Sequence, residues 1–267
     1  MGLHQREDRM SADLLVAVDD GVLRVTINRP AKRNPLSRAL LAELRAVFDA
    51  HRDDAALGLA VLRGAGEKSF AAGGDLRDLE PLRAPDEARA LFDLGNGAFN
   101  AIRQFPVPVV AALNGLALGG GAELAVACDY RIAAPRAKIG FVQGTLGIPT
   151  AWGGASDLAA IVGPSVALGL LAQARVLDAG EALAIGLVDA VAPAGEAFDA
   201  SVDRALAPWR RQKPQVMRAF KWAVAARKLG LPREAADARD RELFAAAWCH
   251  ADHWSAAQGI LDKESGK

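Results

Sequence analysis

The amino-acid sequence predicts an α/β core over residues 1–195 followed by a wholly helical region over residues 196–267. Three observations carry this reading. Short apolar runs alternate with amphipathic stretches as far as Gly195, clusters of glycine stand where a strand hands over to a helix, and the period is helical throughout thereafter. A chain of 267 residues that is 51% hydrophobic and 24% charged can bury a large core, which excludes a disulfide-stapled miniprotein and a disordered chain. The 32 Lys and Arg balance 32 Asp and Glu, so there is no electrostatic footprint for a phosphate backbone and no polybasic segment for an anionic bilayer. Neither a nucleic acid nor a membrane is therefore expected as partner. Cys128 and Cys249 lie far apart and outside any CxxC, and the opening MGLHQREDRM has no apolar stretch behind its charges. A reduced, cytoplasmic protein without a cleaved leader is the expectation.

The elements follow in order. LLVAVDDGVLRVTINRP alternates apolar and polar residues on both sides of Asp20-Gly21, a pair suited to a tight hairpin. Ser37 can cap a helix running to about His51, in which Leu40, Leu41, Leu44, Val47 and Phe48 share one face. LGLAVLRG reads as a buried strand, GAGEKSFAAGGDL as a long polar loop, and Asp86 to Gln104 as an amphipathic helix. PVPVVAALNG is a strand punctuated by proline, and LALGGGAEL opens another helix. YRIAAP and AKIGFV give two short strands, and GPSVALGLLAQ and DAGEALAIG two helices. Four amphipathic helices, near 196–211, 214–229, 232–248 and 251–262, complete the chain.

The chemistry concentrates in residues 105–128, FPVPVVAALNGLALGGGAELAVAC, where Glu123 is the one acid or base. A membrane span is a poor reading of this stretch, given two prolines, Asn114 and its glycines. A surface glutamate in the first turn of a helix is the competing reading, since the helix dipole favours it. Against that, Ala122, Leu124, Ala125 and Val126 surround Glu123 with apolar neighbours, the pattern of a buried helix. Burial raises a carboxyl pKa toward neutrality, where the group can both take and give a proton. The preceding Gly119-Gly120-Gly121 permits a close backbone approach and presents the free N–H groups of a helix start to negative charge. It is not a nucleotide cradle. GEKS places a glutamate inside the P-loop pattern, and GNGAFN begins like a dinucleotide fingerprint but ends in Asn within a helical stretch. A second glycine site, FAAGGDL, is either a plain turn into a short helix capped near Asp75 or a second backbone donor. Two such donors, each after a buried strand, can converge on one oxygen beside a buried carboxyl, which suggests enolate chemistry.

RPAKRNPLS, GAGEKSFAAGGDL, ALNGLALGGGAELAVACDYRIAAP and LDAGEALAIGLVDAV together resemble the enoyl-CoA hydratase/isomerase, or crotonase, family from about residue 13 onward. The resemblance implies a spiral of ββα turns with a C-terminal helical trimerisation region, a homotrimer or a hexamer built as a dimer of trimers, acyl-CoA thioester substrates, and no cofactor besides the CoA that the substrate carries. It places Gly74 and Gly120 as the oxyanion hole and Glu123 as the first catalytic glutamate. Arg33, Ala72, Asp75 and Leu76 fall where the family lines the CoA path. Removing one oxyanion donor would cost about 3 to 4 kcal/mol of transition-state stabilisation.

The sequence departs from the two-glutamate hydratases at one position. Twenty residues after Glu123, where they carry a second acid, stands Gln143, which cannot exchange a proton but can orient a water or a carboxylate, or simply shape the pocket. The segment FVQGTLGIPTAWGG and the later RELFAAAW resemble the ethylmalonyl-CoA decarboxylase branch, with Trp152 either a wall of the acyl pocket or a core tryptophan. Hydration of a 2-enoyl-CoA leads, with decarboxylation of a short branched malonyl-CoA, double-bond isomerisation and non-catalytic acyl-CoA binding as alternatives. Among the remaining residues, His250, Asp252 and His253 lack a third partner for a metal, Cys128 reads as a structural thiol, and Lys68, Lys221 and Arg210-Arg211 read as solvated.

Overall fold

The hairpin around Asp20-Gly21 forms as predicted and is the antiparallel edge of a larger, mostly parallel sheet. The protein is seen in a computed structural model that describes residues 6–9, 11–228 and 230–265; the first five residues, read above for targeting signals, lie outside it. In chain order the elements are β1 (Arg6–Arg9), β2 (Leu14–Asp19), β3 (Val22–Ile27), α1 (Arg38–Ala50), β4 (Leu59–Gly64), β5 (Ser69–Ala71), α2 (Leu76–Leu79) and α3 (Pro85–Arg103). There follow β6 (Val109–Leu113), β7 (Leu116–Leu118), α4 (Gly120–Ala127), β8 (Tyr130–Ala133), β9 (Lys138–Gly140), α5 (Gly154–Val162) and α6 (Pro164–Gln173). The chain continues with β10 (Val176–Asp178), α7 (Ala179–Ala184), β11 (Ala190–Val191), α8 (Phe198–Arg210), α9 (Pro214–Lys228), α10 (Arg233–Trp248) and α11 (Ala251–Ser265).

Two sheets organise these elements. The first runs β1-β2-β3-β4-β6-β8-β11 and the second β10-β9-β7-β5. From β4 onward each turn of the chain adds one parallel strand to the first sheet, bends, adds a three-residue strand to the second, and returns through helix: β4 to β5, β6 to β7, β8 to β9. This is the ββα spiral that the resemblance implies, with a helical region after it. The central strands read as continuous apolar runs because both faces are covered. One face of β3, β4, β6 and β8 presents Val22, Val61, Val110 and Ile132 to Val202 and Leu206 of α8. The other face joins the main core, where α1 packs on α3 and Phe48 meets Phe105 edge-on at 5.1 Å.

Of the two helix caps expected, one forms. Ser37 accepts a hydrogen bond from the Leu40 N–H at the start of α1. Asp75 does precede α2, but its side chain caps nothing and pairs instead with Arg29 at 2.8 Å. The bends between the two sheets are held by two buried asparagines. The Asn114 side chain accepts from the Gly64 N–H and donates to the carbonyls of Gly66 and Ser69, while Asn34 accepts from Arg29 N–H and donates to those of Ala65 and Ser69.

Several short elements differ from the sequence reading. The predicted polar loop contains β5, the glycine run begins with β7, and α5, which starts at Gly154 and runs to Val162, is a helix the sequence reading did not place. Three-residue strands are too short to show a period, and exist here because their neighbours pair with them. Lys221, expected in solvent, is 6% exposed and its ammonium is paired with Asp129, because α9 lies against the β6 and β8 ends. Among the described residues no helix is long and apolar enough to cross a membrane.

Asn114→Ala strips two donor contacts and one acceptor from a buried bend. Leaving even one buried backbone group unsatisfied costs about 1–3 kcal/mol, and urea denaturation is expected to show a loss of about 3 kcal/mol with an unchanged m-value.

Candidate active site

Because β5 and β7 are parallel neighbours, Ser69 opposite Leu116 and Ala71 opposite Ala117, the loops that leave their carboxyl ends emerge side by side. Those loops are FAAGGDL and the glycine run. Their contact excludes side chains: a β-carbon on Gly121 would overlap the Ala71 carbonyl, and one on Gly73, whose φ is +98°, would stand 3.1 Å from the Leu118 oxygen. Residues 73 and 75 are tied to Leu36, through Leu36 N–H to Gly73 carbonyl and Asp75 N–H to Leu36 carbonyl. A strand that bonds this way turns the Gly74 N–H to its opposite side. The Gly120 N–H is the first of α4 and has no partner within the helix. Among the described residues neither amide donates a hydrogen bond.

Glu123 lies in the first turn of α4 and is 2% exposed. Its carboxylate is held from four directions. One oxygen accepts from Gln143 Nε2 at 2.7 Å and from Ala151 N at 3.4 Å, the other from Trp152 N at 2.8 Å and Gly154 N at 3.0 Å. Burial pushes the Glu123 pKa above the usual carboxylate range, and the three main-chain donors and the Gln143 amide pull part of that shift back. The surface reading of Glu123 is thereby set aside. Gln143, 8% exposed, opens a short 3-10 turn, and its Oε1 is buried without a partner among the described residues.

Trp152 is 5% exposed and its indole reaches the same place. A β-carbon on Gly120 would stand 2.5 Å from its Cζ3 and one on Gly74 would stand 3.9 Å from its Cη2, while one on Gly95 of α3 would overlap Nε1. The glycine that began the GNGAFN pattern is thus a seat for the indole, and Phe99 packs edge-on against it at 5.4 Å. The structure therefore brings Gly74, Gly120, Glu123, Gln143 and Trp152 together. Around the rim, the Ala72 N–H donates to the Arg33 carbonyl at 3.1 Å, and Arg33 and Leu76 are exposed. Arg33 and Asn34 both adopt positive φ, 66° and 55°, a left-handed pair stabilised by the buried Asn34 hydrogen bonds.

Sequence reasoning passed over the pair that holds the 150–154 turn. Arg103 at the end of α3 donates through Nε to Asp157 at 2.7 Å and through Nη2 to the Trp152 carbonyl at 2.5 Å, with Asp157 buried and Arg103 nearly so. Arg103 closes an amphipathic helix where a solvated arginine is ordinary, so only the spatial pairing distinguishes it. Of the residues considered for metal, His250 contacts Asp252 at 3.2 Å, and Lys213 occupies the other oxygen of that carboxylate at 3.1 Å. Among the described residues no three His, Cys, Asp or Glu side chains gather in a ligand set. A cavity of about 560 Å³ lies elsewhere, between the β6 and β8 ends and α8 and α9, and includes Trp209, Phe220 and Lys221.

A two-sheet ββα spiral that pairs a glycine-lined backbone recess with a buried acid defines the crotonase class of fold. The chain belongs to the enoyl-CoA hydratase/isomerase family, whose model matches residues 17–265. It is 42% identical to a crotonyl-CoA hydratase of Syntrophomonas wolfei over 179 residues, 67% of this chain and 68% of that protein. It is also 32% identical to an ethylmalonyl-CoA decarboxylase of Bos taurus, across 86% of this chain and 75% of that one. The crystal structure of an enoyl-CoA hydratase from Bacillus anthracis superposes with a TM-score of 0.82 at 29% identity, covering 97% of this chain and 96% of the other.

Arg103→Met removes the guanidinium that bonds both the Asp157 carboxylate and the Trp152 carbonyl. Such a loss costs about 3–5 kcal/mol, to be read by thermal and urea unfolding.

Proposed function

We propose that the protein adds water to a 2-enoyl-CoA thioester through an enolate held by the Gly74 and Gly120 amides, with Glu123 as the only proton-transfer group. The observation that carries this reading is a desolvated carboxylate in the first turn of the helix whose leading N–H is Gly120. Ionised Glu123 takes a proton from water as the water oxygen bonds to the β-carbon. The double-bond electrons move onto the thioester oxygen, which the two preorganised amides and the α4 dipole stabilise. The enolate then collapses as Glu123 returns the proton to the α-carbon. No electron leaves for a carrier, so this chemistry needs no cofactor beyond the CoA of the substrate. The CoA would enter past Arg33, Ala72, Asp75 and Leu76.

Gln143 favours a second reading. With no second acid, the same amides could receive the electron pair released when a carbon–carboxylate bond breaks, CO2 departing and protonated Glu123 supplying the α-carbon proton. The two reactions need opposite forms of one carboxyl. Hydration requires the carboxylate and is expected to fall as pH drops through the raised Glu123 pKa; decarboxylation requires the acid and falls as pH rises through it. Crotonyl-CoA and ethylmalonyl-CoA, assayed side by side for loss of the enoyl thioester and for CO2, separate them. Glu123→Gln is expected to lower kcat/KM for hydration by about 10² to 10⁴. CO2 release without hydration would establish the second reading instead.

The helical region supports an oligomer of three chains, or of six as a dimer of trimers. Trp248 packs against Phe244 at 5.6 Å and edge-on against Trp254 at 5.7 Å, and all three remain exposed, more apolar aromatic surface than a monomer keeps without use. Light scattering is expected to give a multiple of three, reduced by Trp248→Glu with Trp254→Glu. Cys128 is buried and Cys249 exposed, with no disulfide among the described residues, in keeping with the reducing cytoplasm proposed for this protein.

A further inference from the structure

We infer that the Trp152 indole is the end wall of the acyl site and restricts the enzyme to short acyl chains. This inference rests on the acyl-thioester reading above. A thioester whose oxygen lies between the Gly74 and Gly120 amides directs its α- and β-carbons toward Glu123. The indole borders that path closely at Gly120, where a β-carbon would stand 2.5 Å from its Cζ3, and more loosely at Gly74, where a β-carbon would stand 3.9 Å from its Cη2 beside Leu79 at 2.8 Å. The Trp152 main-chain N–H is bonded to the Glu123 carboxylate at 2.8 Å. Carbons past the β-position therefore run into a ring system backed by Gly95 and Phe99.

The seat for the ring is built rather than incidental. Gly95 lies inside a nineteen-residue helix, where glycine costs about 1 kcal/mol relative to alanine, and a β-carbon there would collide with the indole. The Trp152 carbonyl is pinned by Arg103 at 2.5 Å and its N–H by Glu123, so the backbone cannot swing the ring aside without breaking both. The indole Nε1 is buried with no hydrogen-bond partner among the described residues, so packing alone holds the ring, and a smaller apolar side chain leaves no polar group newly stranded.

Removing the ring opens space on the order of 150 Å³, enough for a benzene-sized guest. Each methylene newly buried there strengthens binding about fourfold. The test is calorimetric titration of the full-length protein and of Trp152→Ala and Trp152→Leu with butyryl-CoA and octanoyl-CoA, each variant first checked by thermal melting. The native protein is expected to bind butyryl-CoA at least as tightly as octanoyl-CoA. The octanoyl-to-butyryl affinity ratio should rise about tenfold or more in Trp152→Ala and by less in Trp152→Leu, with kcat/KM for oct-2-enoyl-CoA over but-2-enoyl-CoA moving in parallel. A native preference for octanoyl-CoA, or ratios unchanged within about twofold in whichever variant folds, overturns the proposal while leaving the acyl-thioester reading intact. Failure of both thioesters to bind the native protein overturns that reading and this proposal together.

Discussion

The Glu123 carboxylate ties the site together, because four donors from outside its own helix converge on it. Three are main-chain N–H groups of the 150–154 turn and the fourth is the Gln143 amide. A carboxylate withdrawn from water without partners would cost several kcal/mol and would protonate instead. With these donors the ionised form becomes tolerable, yet burial still dominates and leaves its pKa raised. The balance puts the group between a permanent anion and a permanent acid. It also makes the turn depend on the charge: without Glu123, the N–H groups of Trp152 and Gly154 lose their acceptor, and the indole loses the anchor that sets its height over Gly120.

The second constraint is one of distance. Two backbone amides can address one oxygen only if their loops touch, and loops that carry side chains do not approach so closely. Parallel pairing of β5 with β7 places the loops side by side, and the absence of β-carbons at residues 73 and 121 lets them close. The same economy recurs around the indole, which needs bare α-carbons at residues 95 and 120. At residues 95, 120 and 121, all helical, glycine is a response to crowding by neighbouring backbone or by Trp152, whereas Gly73, with φ +98°, also meets local turn geometry.

How much of this was legible in one dimension follows from what each signal encodes. Ser37 and Asp20-Gly21 announce local conformation through their own chemistry, and the cap and hairpin form where they stand. The burial of Glu123 was legible because its helical neighbours are apolar on every side. Its contact with Gln143 is different: nothing in a spacing of twenty residues implies contact, and only the family resemblance pointed to it. The strands β5, β7 and β10 are too short to carry a period. Arg103 with Asp157, and Lys221 with Asp129, look like solvated surface charges until the fold buries them, because a side chain's partner across fifty or ninety residues leaves no trace in local pattern.

Gln143 also decides how many protons the site can hold. A carboxylate in its place would stand within hydrogen-bond reach of Glu123, and two carboxyls so close share a proton, one pKa rising well above the other. Such a pair can act as acid and base in the same step. With an amide there, one proton at most resides between the two side chains. The amide suits either state of its neighbour, donating through Nε2 to a carboxylate, or accepting through Oε1 once its plane turns over and Glu123 is protonated. Hydration by a single carboxyl must therefore move its proton out and back in sequence, with the enolate surviving in between. In the proposed reaction that requirement falls on the Gly74 and Gly120 amides, which would have to hold a full enolate charge instead of a transient fraction of one.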